Sequence, residues 1–286
     1  MIERIKEFYS TLYADDIEQT TTDSTEKNDV PDVLPAEVQQ AIRSLQNGKA
    51  AGPDGITGEL LKSCGDETYR TLADLFTRCL KQRSIPTSWK NAKVIILHKK
   101  GDQEDLKNYR PISLLSIIYK LLTKIITKRL ETTLDYAQPT EQAGFRNGYS
   151  TVDNIQVVQQ VIERCGEYEI PLCLAFIDFE KAFDSIKLTT IFEALRRQGI
   201  EEPYISLLEE IYTNATATLH INDNTVTIDV KKGVRQGDTI SPKLFSAGLE
   251  EIFKRLDWSE TGIKNSKINA ALTDIRMHVV QHAHNA

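Results

Sequence analysis

The run 176–184 (FIDFEKAFD) constrains the fold of this chain most, because an apolar stretch within it meets an aspartate, Asp178. Residues 172–179 predict a strand that holds this aspartate at its end. Downstream, 233–242 (GVRQGDTISP) predicts a glycine-bounded polar loop that opens a helix. Carboxylates suit hard metal ions, and glycine-rich turns at helix starts suit phosphates. Together the two runs predict metal-assisted phosphoryl transfer on nucleotides.

The remaining elements do not alternate regularly between helix and strand. Hydrophobic periodicity and turn signals predict helices at 1–13, 35–47, 56–63, 66–83, 114–134, 150–165, 185–198, 203–214 and 242–256. Strands are predicted at 92–98, 172–179, 216–221 and 225–230, the last two as a hairpin. Residues 99–110 predict a charged loop, and the acidic, Thr-rich stretch 15–32 is typical of a linker. Helices packed on a small antiparallel sheet make an α+β fold, not a doubly wound one.

Composition argues against several classes of protein. The four cysteines form no C-x-x-C pair, which argues against a zinc knuckle and against a secreted disulfide framework. The N-terminus lacks the apolar core of a signal peptide, and no apolar run has the length of a membrane span. We therefore expect an intracellular protein without a membrane segment, in the nucleus or the cytoplasm.

Charge is distributed unevenly along the chain. The net charge is −6, but residues 90–129 hold eight lysines and two arginines against three acidic residues. Two interpretations of this basic segment are open. It could line a channel that binds phosphates, or it could form a solvated helix face, which charge alone favours.

Five segments follow one another in a fixed order. They are 48–56 (GKAAGPDGI), 108–115 (NYRPISLL), 142–146 (QAGFR) with Ser150 and Thr151, 176–184, and 233–242. In this order they resemble motifs of the reverse transcriptases of non-LTR, LINE-type retrotransposons. The run 176–184 is similar to motif A of that family, and 233–242 is similar to motif B. The resemblance covers about 35–256, and five ordered motifs are far more specific than one.

The resemblance implies the fingers and part of the palm of a right-hand polymerase, with the thumb absent. Residues 1–34 would be an N-terminal helix and acidic linker, 35–170 a fingers-like region, 171–256 a partial palm and 257–286 an atypical tail. The implied activity is RNA-directed DNA polymerisation, a nucleotidyl transfer assisted by two Mg²⁺ ions. The implied partners are an RNA template, a DNA primer and deoxynucleoside triphosphates.

The resemblance also implies roles for single residues. Asp178 matches a catalytic metal ligand, and the backbone carbonyl of Phe179 helps to hold the metal. Phe183 matches the aromatic residue that blocks a ribose 2′-hydroxyl and so selects deoxynucleotides. The positions matched to nucleotide binding are Lys99, Arg110, Phe179, Phe183, Gln236 and Gly237.

Each of these positions also has a purely structural interpretation. Asp178 could cap a helix that follows the strand, and Phe183 could be an ordinary core residue. The glycines of motif B fit a plain turn before a helix. Lys99 could exchange its role with Lys100, because the pattern does not fix the length of the charged loop.

Two features near these motifs are interpreted as structural. Residues 13–16 spell YADD, the signature of the family's other catalytic carboxylates, but they precede motif A and are interpreted as a coincidence. Asp184 is predicted to cap a helix that begins near Ser185, and Lys181 is predicted to be solvated.

The Asp-Asp hairpin that follows motif B in the family is not found after Leu256. Asp274 has no acidic neighbour in the sequence, and no carboxylate completes a metal site with His278, His282 and His284. We therefore expect a truncated reverse transcriptase with an incomplete two-metal site and little or no activity alone. The alternative is a non-catalytic retroelement remnant that binds nucleic acid weakly.

Overall fold

Ten helices and a four-stranded sheet make up the part of the chain that the computed structural model describes, residues 2–15, 30–221 and 224–256. The helices are α1 (Ile2–Tyr13), α2 (Pro35–Arg43), α3 (Gly58–Lys62), α4 (Asp66–Gln82), α5 (Ile117–Tyr136), α6 (Thr151–Glu167), α7 (Ala182–Ser185), α8 (Leu188–Arg197), α9 (Glu202–Tyr212) and α10 (Ser241–Lys254). The strands are β1 (Asn91–His98), β2 (Tyr109–Leu114), β3 (Thr216–Ile221) and β4 (Asn224–Asp229). This mixture confirms the α+β class.

The sheet joins segments that are far apart in the chain, in the order β2-β1-β3-β4. Strands β1 and β2 form an antiparallel pair in which His98 lies opposite Tyr109. Strand β1 pairs in parallel with β3, with Asn91 opposite Thr216, so the sheet is mixed and the prediction of an antiparallel sheet is wrong in this respect. Strands β3 and β4 form the predicted hairpin, in antiparallel register.

The two faces of the sheet differ in their surroundings. One face belongs to the core, where Val94 on β1, Leu219 on β3 and Ile228 on β4 are buried. The opposite face is open, and on β1 it carries Lys93 and Leu97, of which Leu97 is 52% exposed. Side chains alternate between faces along a strand, so these two sets follow directly from sequence position.

Side-chain caps stabilise the starts of some helices. Glu37 accepts a hydrogen bond from the backbone N–H of Leu34 and closes the first turn of α2 at 2.9 Å. At α6, the N–H of Ser150 donates to Asp153 at 2.9 Å. These carboxylates satisfy backbone donors that the helix starts leave free. Within the described ranges, no helix is both long and apolar enough to cross a membrane.

The predicted strand at 172–179 is wrong. These residues lie outside every helix and strand, and Phe176 and Ile177 are 79% and 62% exposed. A strand requires a neighbour for its backbone N–H and C=O groups. In the described part of the chain, the sheet ends at β2 and β4 and does not include 172–179. The apolar pattern therefore indicates that the segment favours burial, but it does not show which strand would pair with it.

Two other predictions near the sheet need correction. The end of the predicted charged loop belongs to strand β2, where Pro111 argues against a strand in the sequence. Proline is tolerated in this position because β2 is an edge strand of the sheet. The helix expected at 114–134 consequently starts at Ile117, and the one expected at 185–198 starts at Leu188 after the short helix α7.

The predicted linker at 15–32 is wrong at its C-terminal end. Val30 and Val33 are buried in the core. The Arg129 guanidinium on α5 donates to the carbonyls of Pro31 and Asp32 at 2.7 and 2.8 Å. It also pairs with both carboxylate oxygens of Glu37. This segment is therefore fixed against the helices; residues 16–29 lie outside the described residues.

Candidate nucleotide-binding site

Motif B is held by its two charged residues, both of which point into the core. The Arg235 guanidinium is buried and donates to the carbonyls of Trp89 and Lys90 at 3.1 and 2.8 Å. The buried Asp238 carboxylate accepts hydrogen bonds from the hydroxyls of Tyr119 and Thr123 at 2.5 and 2.8 Å. Burial, and then the Asp238 charge, raise the pKa of Tyr119. These anchors are paired, as buried charges must be.

Between the anchors, Gln236 and Gly237 lie at the free edge of β2. The Ser113 N–H on β2 donates to the Gln236 carbonyl at 2.9 Å. Gly237 has a φ of +109°, and a Cβ there would lie 2.8 Å from the Ser113 carbonyl oxygen. Glycine is therefore required by the approach of the loop to β2. Gly237 is exposed and Gln236 partly so, which leaves both within reach of a ligand.

Motif B is also bonded to the end of motif A. The Gly233 N–H donates to the Ile186 carbonyl at 2.8 Å, and the Val234 N–H donates to the Phe183 carbonyl at 2.7 Å. Gly233 has a φ of +85°, and a Cβ there would lie within 2.8 Å of the Asp184 backbone. The two motifs thus meet through their backbones, although about 50 residues separate them in the chain.

Phe183 lies in a cluster of three aromatic rings. Its ring is parallel to that of Phe245 on α10, with centroids 4.8 Å apart, and meets the edge of Phe145 at 5.9 Å. Phe145 belongs to the QAGFR segment and has a left-handed backbone, with a φ of +59°. The segment is fixed by Arg146, which donates to the carbonyls of Pro139 and Asp135. Phe183 is therefore rigidly held and partly buried.

The remaining motif, 48–56, packs on the turn that follows β2. The Ser116 hydroxyl, which caps α5, donates to Asp54 at 2.6 Å. A Cβ on Gly52 would lie 2.2 Å from the Leu115 carbonyl oxygen, so only glycine fits this contact. The five sequence motifs are thus joined to one another or to β2 by direct contacts.

Arg110 and Lys99 lie on the β1–β2 hairpin. Arg110 is opposite Leu97 in the register, on the open face of the sheet, and is half-buried. Lys99 follows β1 directly and is exposed, and its N–H donates to the Asn108 carbonyl at 2.8 Å. Arg110 is therefore three residues along the same strand from Ser113, the residue that holds Gln236.

Asp178 and Phe179 lie in an irregular, exposed segment that precedes α7. Both side chains are exposed, and neither belongs to a strand. Among the described residues, no group of three or more His, Cys, Asp or Glu side chains is placed to hold a metal ion. The described residues therefore do not by themselves fit the Mg²⁺ site that the resemblance implies. Asp274 and the three C-terminal histidines lie outside the described residues.

The predictions for Asp184 and Lys181 are wrong. Asp184 caps no helix start but lies inside α7, buried, and accepts a hydrogen bond from the Tyr13 hydroxyl at 3.2 Å. The Lys181 ammonium is not solvated; it lies 4.2 Å from the ring centroid of Phe8 on α1. The local sequence could not reveal these contacts, because α1 is more than 160 residues away.

Stability should depend on the ionisation of Asp184. Burial raises the pKa of its carboxyl from 3.8 to about 6, with the Tyr13 hydrogen bond opposing the shift. Because the folded-state pKa is raised, the neutral Asp184 carboxyl favours the folded state. This contribution to the unfolding free energy is complete below pH 4 and is lost as the pH rises through 6. The loss amounts to about 3 kcal/mol of unfolding free energy. Urea denaturation of the wild type and of Asp184→Asn from pH 4 to pH 7 measures it; parallel curves would contradict the prediction.

Sequence reasoning missed Arg235, Asp238, Phe145 and Phe245. The first two have a visible signal, since Arg235 and Asp238 each lie within two residues of an apolar position, and a charge that is buried there requires partners. The two phenylalanines carry no comparable signal, because an aromatic residue at such spacing fits any core.

Comparison with known proteins shows the family to which the motifs belong. A family model described as "Reverse transcriptase (RNA-dependent DNA polymerase)" matches residues 97–270, which include four of the five motifs. The Pol polyprotein of the type-1 retrotransposable element R2 of Popillia japonica is 31% identical over 76% of this chain and 30% of that protein. The RNA-directed DNA polymerase of the mobile element jockey of Drosophila melanogaster is 30% identical over 73% of this chain and 23% of that protein.

A third relative is the transposon TX1 149 kDa protein of Xenopus laevis, which is 29% identical over 79% of this chain and 17% of that protein. The chain thus spans less than a third of the length of these three relatives. The family model covers more than half of the chain. The chain therefore belongs to the reverse transcriptase (RNA-dependent DNA polymerase) family, in the group encoded by non-LTR retrotransposons.

Proposed function

We propose that this chain contributes the nucleotide-holding part of an RNA-directed DNA polymerase, which copies an RNA template onto a DNA primer from deoxynucleoside triphosphates. One observation carries the proposal. The backbone of motif B is bonded on one side to β2, through Gln236 and Ser113, and on the other to Phe183, through Val234. Elements that share no local sequence thus converge on Gln236 and Gly237.

Arg110 and Lys99 are proposed to bind the triphosphate. A guanidinium presents parallel N–H donors that match phosphate oxygens, and an ammonium adds a compact charge. Arg110 lies on the open sheet face together with Lys93, and Lys99 lies at the end of the same hairpin. This placement supports the phosphate-channel interpretation of the basic segment for its N-terminal part.

Phe183 is proposed to limit the sugar of the bound nucleotide. A ring can exclude a 2′-hydroxyl only if the ring keeps its position when the nucleotide binds. The parallel contact with Phe245 and the edge contact with Phe145 restrict this ring on two sides. Motif B lies directly beside it, with Gln236 available to donate or accept a hydrogen bond through its amide.

Asp178 and the carbonyl of Phe179 are proposed to supply ligands for Mg²⁺. When bound, the ion would stabilise the charge that develops on the phosphates. A single carboxylate does not neutralise two divalent ions, so we propose that substrate phosphates and further carboxylates, from residues outside the described ranges or from a longer protein, complete the ligand set. The proposed metal site therefore depends on more than the described residues.

Binding of dTTP tests the nucleotide-holding role without requiring catalysis. The purified full chain should bind dTTP, and Arg110→Ala should weaken binding by about tenfold or more, the effect of losing one charged hydrogen-bonding group. Arg70→Ala, on the exposed side of α4, is the matched control and should leave the affinity unchanged. Equal losses in both variants, or no binding by the wild type, would contradict the proposal.

A further inference from the structure

Helix α1 contacts the junction between motifs A and B, although it lies at the other end of the sequence. The Tyr13 carbonyl accepts a hydrogen bond from the N–H of Lys231, just after β4, at 3.0 Å. The Tyr13 hydroxyl donates to the buried Asp184 carboxylate at 3.2 Å. The last residue of α1 is therefore bonded both ahead of motif B and within motif A.

A second contact from α1 holds the start of the same turn. Lys181 has a left-handed backbone, with a φ of +49°. Its ammonium lies 4.2 Å from the ring centroid of Phe8 and 5.8 Å from that of Tyr9, so α1 stabilises it through cation–π contacts. Helix α1 thus holds 181–184 at both ends.

Phe183 lies inside this turn. Its carbonyl accepts the Val234 N–H, and Gly233 passes so close to Asp184 that a Cβ there would overlap the backbone. A displacement of Asp184 would consequently move both the Phe183 ring and the start of motif B. The Asp184 carboxylate accepts a hydrogen bond from the Tyr13 hydroxyl, so α1 contributes to fixing its position.

We infer that α1 is part of the nucleotide-binding unit and that Tyr13 is a positioning residue, whose hydroxyl fixes through Asp184 the turn that carries Phe183. The inference rests on the proposed function, in which Phe183 limits the sugar. It gives residues 2–13 a role in sugar selection without direct contact with the nucleotide.

The chain offers a matched pair of variants for the test. Tyr13→Phe removes the hydroxyl that binds Asp184. Tyr9→Phe removes the same atom from the same helix, and the buried Tyr9 hydroxyl has no hydrogen-bond partner among the described residues. In the full chain, amide hydrogen exchange at Gly233 and Val234 should accelerate about tenfold in Tyr13→Phe, the effect of one buried hydrogen bond. It should stay at the wild-type rate in Tyr9→Phe.

The second readout separates positioning from mere structural support. The ratio of dCTP to CTP affinity should fall severalfold in Tyr13→Phe and stay unchanged in Tyr9→Phe. Unchanged exchange in Tyr13→Phe, an equal effect of Tyr9→Phe, or faster exchange with an unchanged ratio would each overturn the inference.

Failure of the proposed function would look different. A wild-type chain that binds neither dCTP nor CTP would remove the role in sugar selection together with the proposed function. The exchange rates at Gly233 and Val234 would still decide whether Tyr13 holds the turn.

Discussion

Asp178→Ala is expected to abolish any Mg²⁺-dependent primer extension that the full chain supports on an annealed RNA template. Asp178 is the proposed metal ligand, and its loss would remove several kcal/mol of transition-state stabilisation, which corresponds to a rate at least about a thousandfold lower. Asp178 is exposed and irregular in its backbone, so the substitution should leave the folding stability nearly unchanged. The measurement is incorporation of labelled dTTP on poly(rA) with an oligo(dT) primer.

Glu180→Ala is the matched control for this substitution. Glu180 is an exposed carboxylate two residues further along the same segment, and it should be dispensable for extension. Extension by the wild type that disappears only in Asp178→Ala would show that residues outside the described ranges complete the metal site. A folded wild type that binds dTTP but extends nothing would favour the non-catalytic alternative. Equal extension by Asp178→Ala and the wild type would contradict the assignment of Asp178.

Arg235→Ala is expected to cost on the order of 3–5 kcal/mol of unfolding free energy, because hydrogen bonds from a buried charged donor are worth more than neutral ones. The guanidinium donates to the carbonyls of Trp89, Lys90 and Ile211, and it lies 5.5 Å from the ring centroid of Tyr119. These carbonyls precede β1 and β3, so one side chain ties the starts of both strands to motif B.

Urea denaturation followed by tryptophan fluorescence measures this effect. Arg43→Ala, at an exposed position of α2, is the control and should change the unfolding free energy by less than about 0.5 kcal/mol. Arg235→Lys should recover only part of the loss, since an ammonium lacks the planar fork that reaches several carbonyls at once. A loss below about 1 kcal/mol in Arg235→Ala would show that water replaces the guanidinium at these carbonyls.

Local patterns predicted the elements whose boundaries depend on nearby residues. The β3–β4 hairpin was correct because its side chains alternate, and β1 was correct because its residues are β-branched and apolar. The start of α2 was correct because Pro35 marks it, but the helix ends at Arg43 and not at residue 47. The order of the motifs was enough to indicate the family. These predictions succeeded because the signal and the structure it specifies lie within a few residues of each other.

The failures share one physical cause, which is a distant partner. The segment 172–179 has the composition of a strand, but strand formation depends on a neighbour that no local pattern contains. Asp184 and Lys181 are fixed by α1, and their own sequence favours a cap and a solvated lysine. Arg235 was predicted as part of a nucleotide-facing loop, whereas its side chain is committed to carbonyls on two other elements.

The parallel pairing of β1 with β3 has a consequence for how the chain is made. Asn91 and Thr216 are register partners, and 125 residues separate them. A ribosome adds roughly 5–20 residues per second, so the β1–β2 hairpin waits on the order of ten seconds before β3 emerges. During that interval the backbone N–H and C=O groups of β1 that later pair with β3 have no strand beside them. Unpaired strand edges can pair with other chains and so cause aggregation. We therefore expect aggregation during expression to depend on translation speed between residues 115 and 216, and a slower passage there to lower the soluble yield.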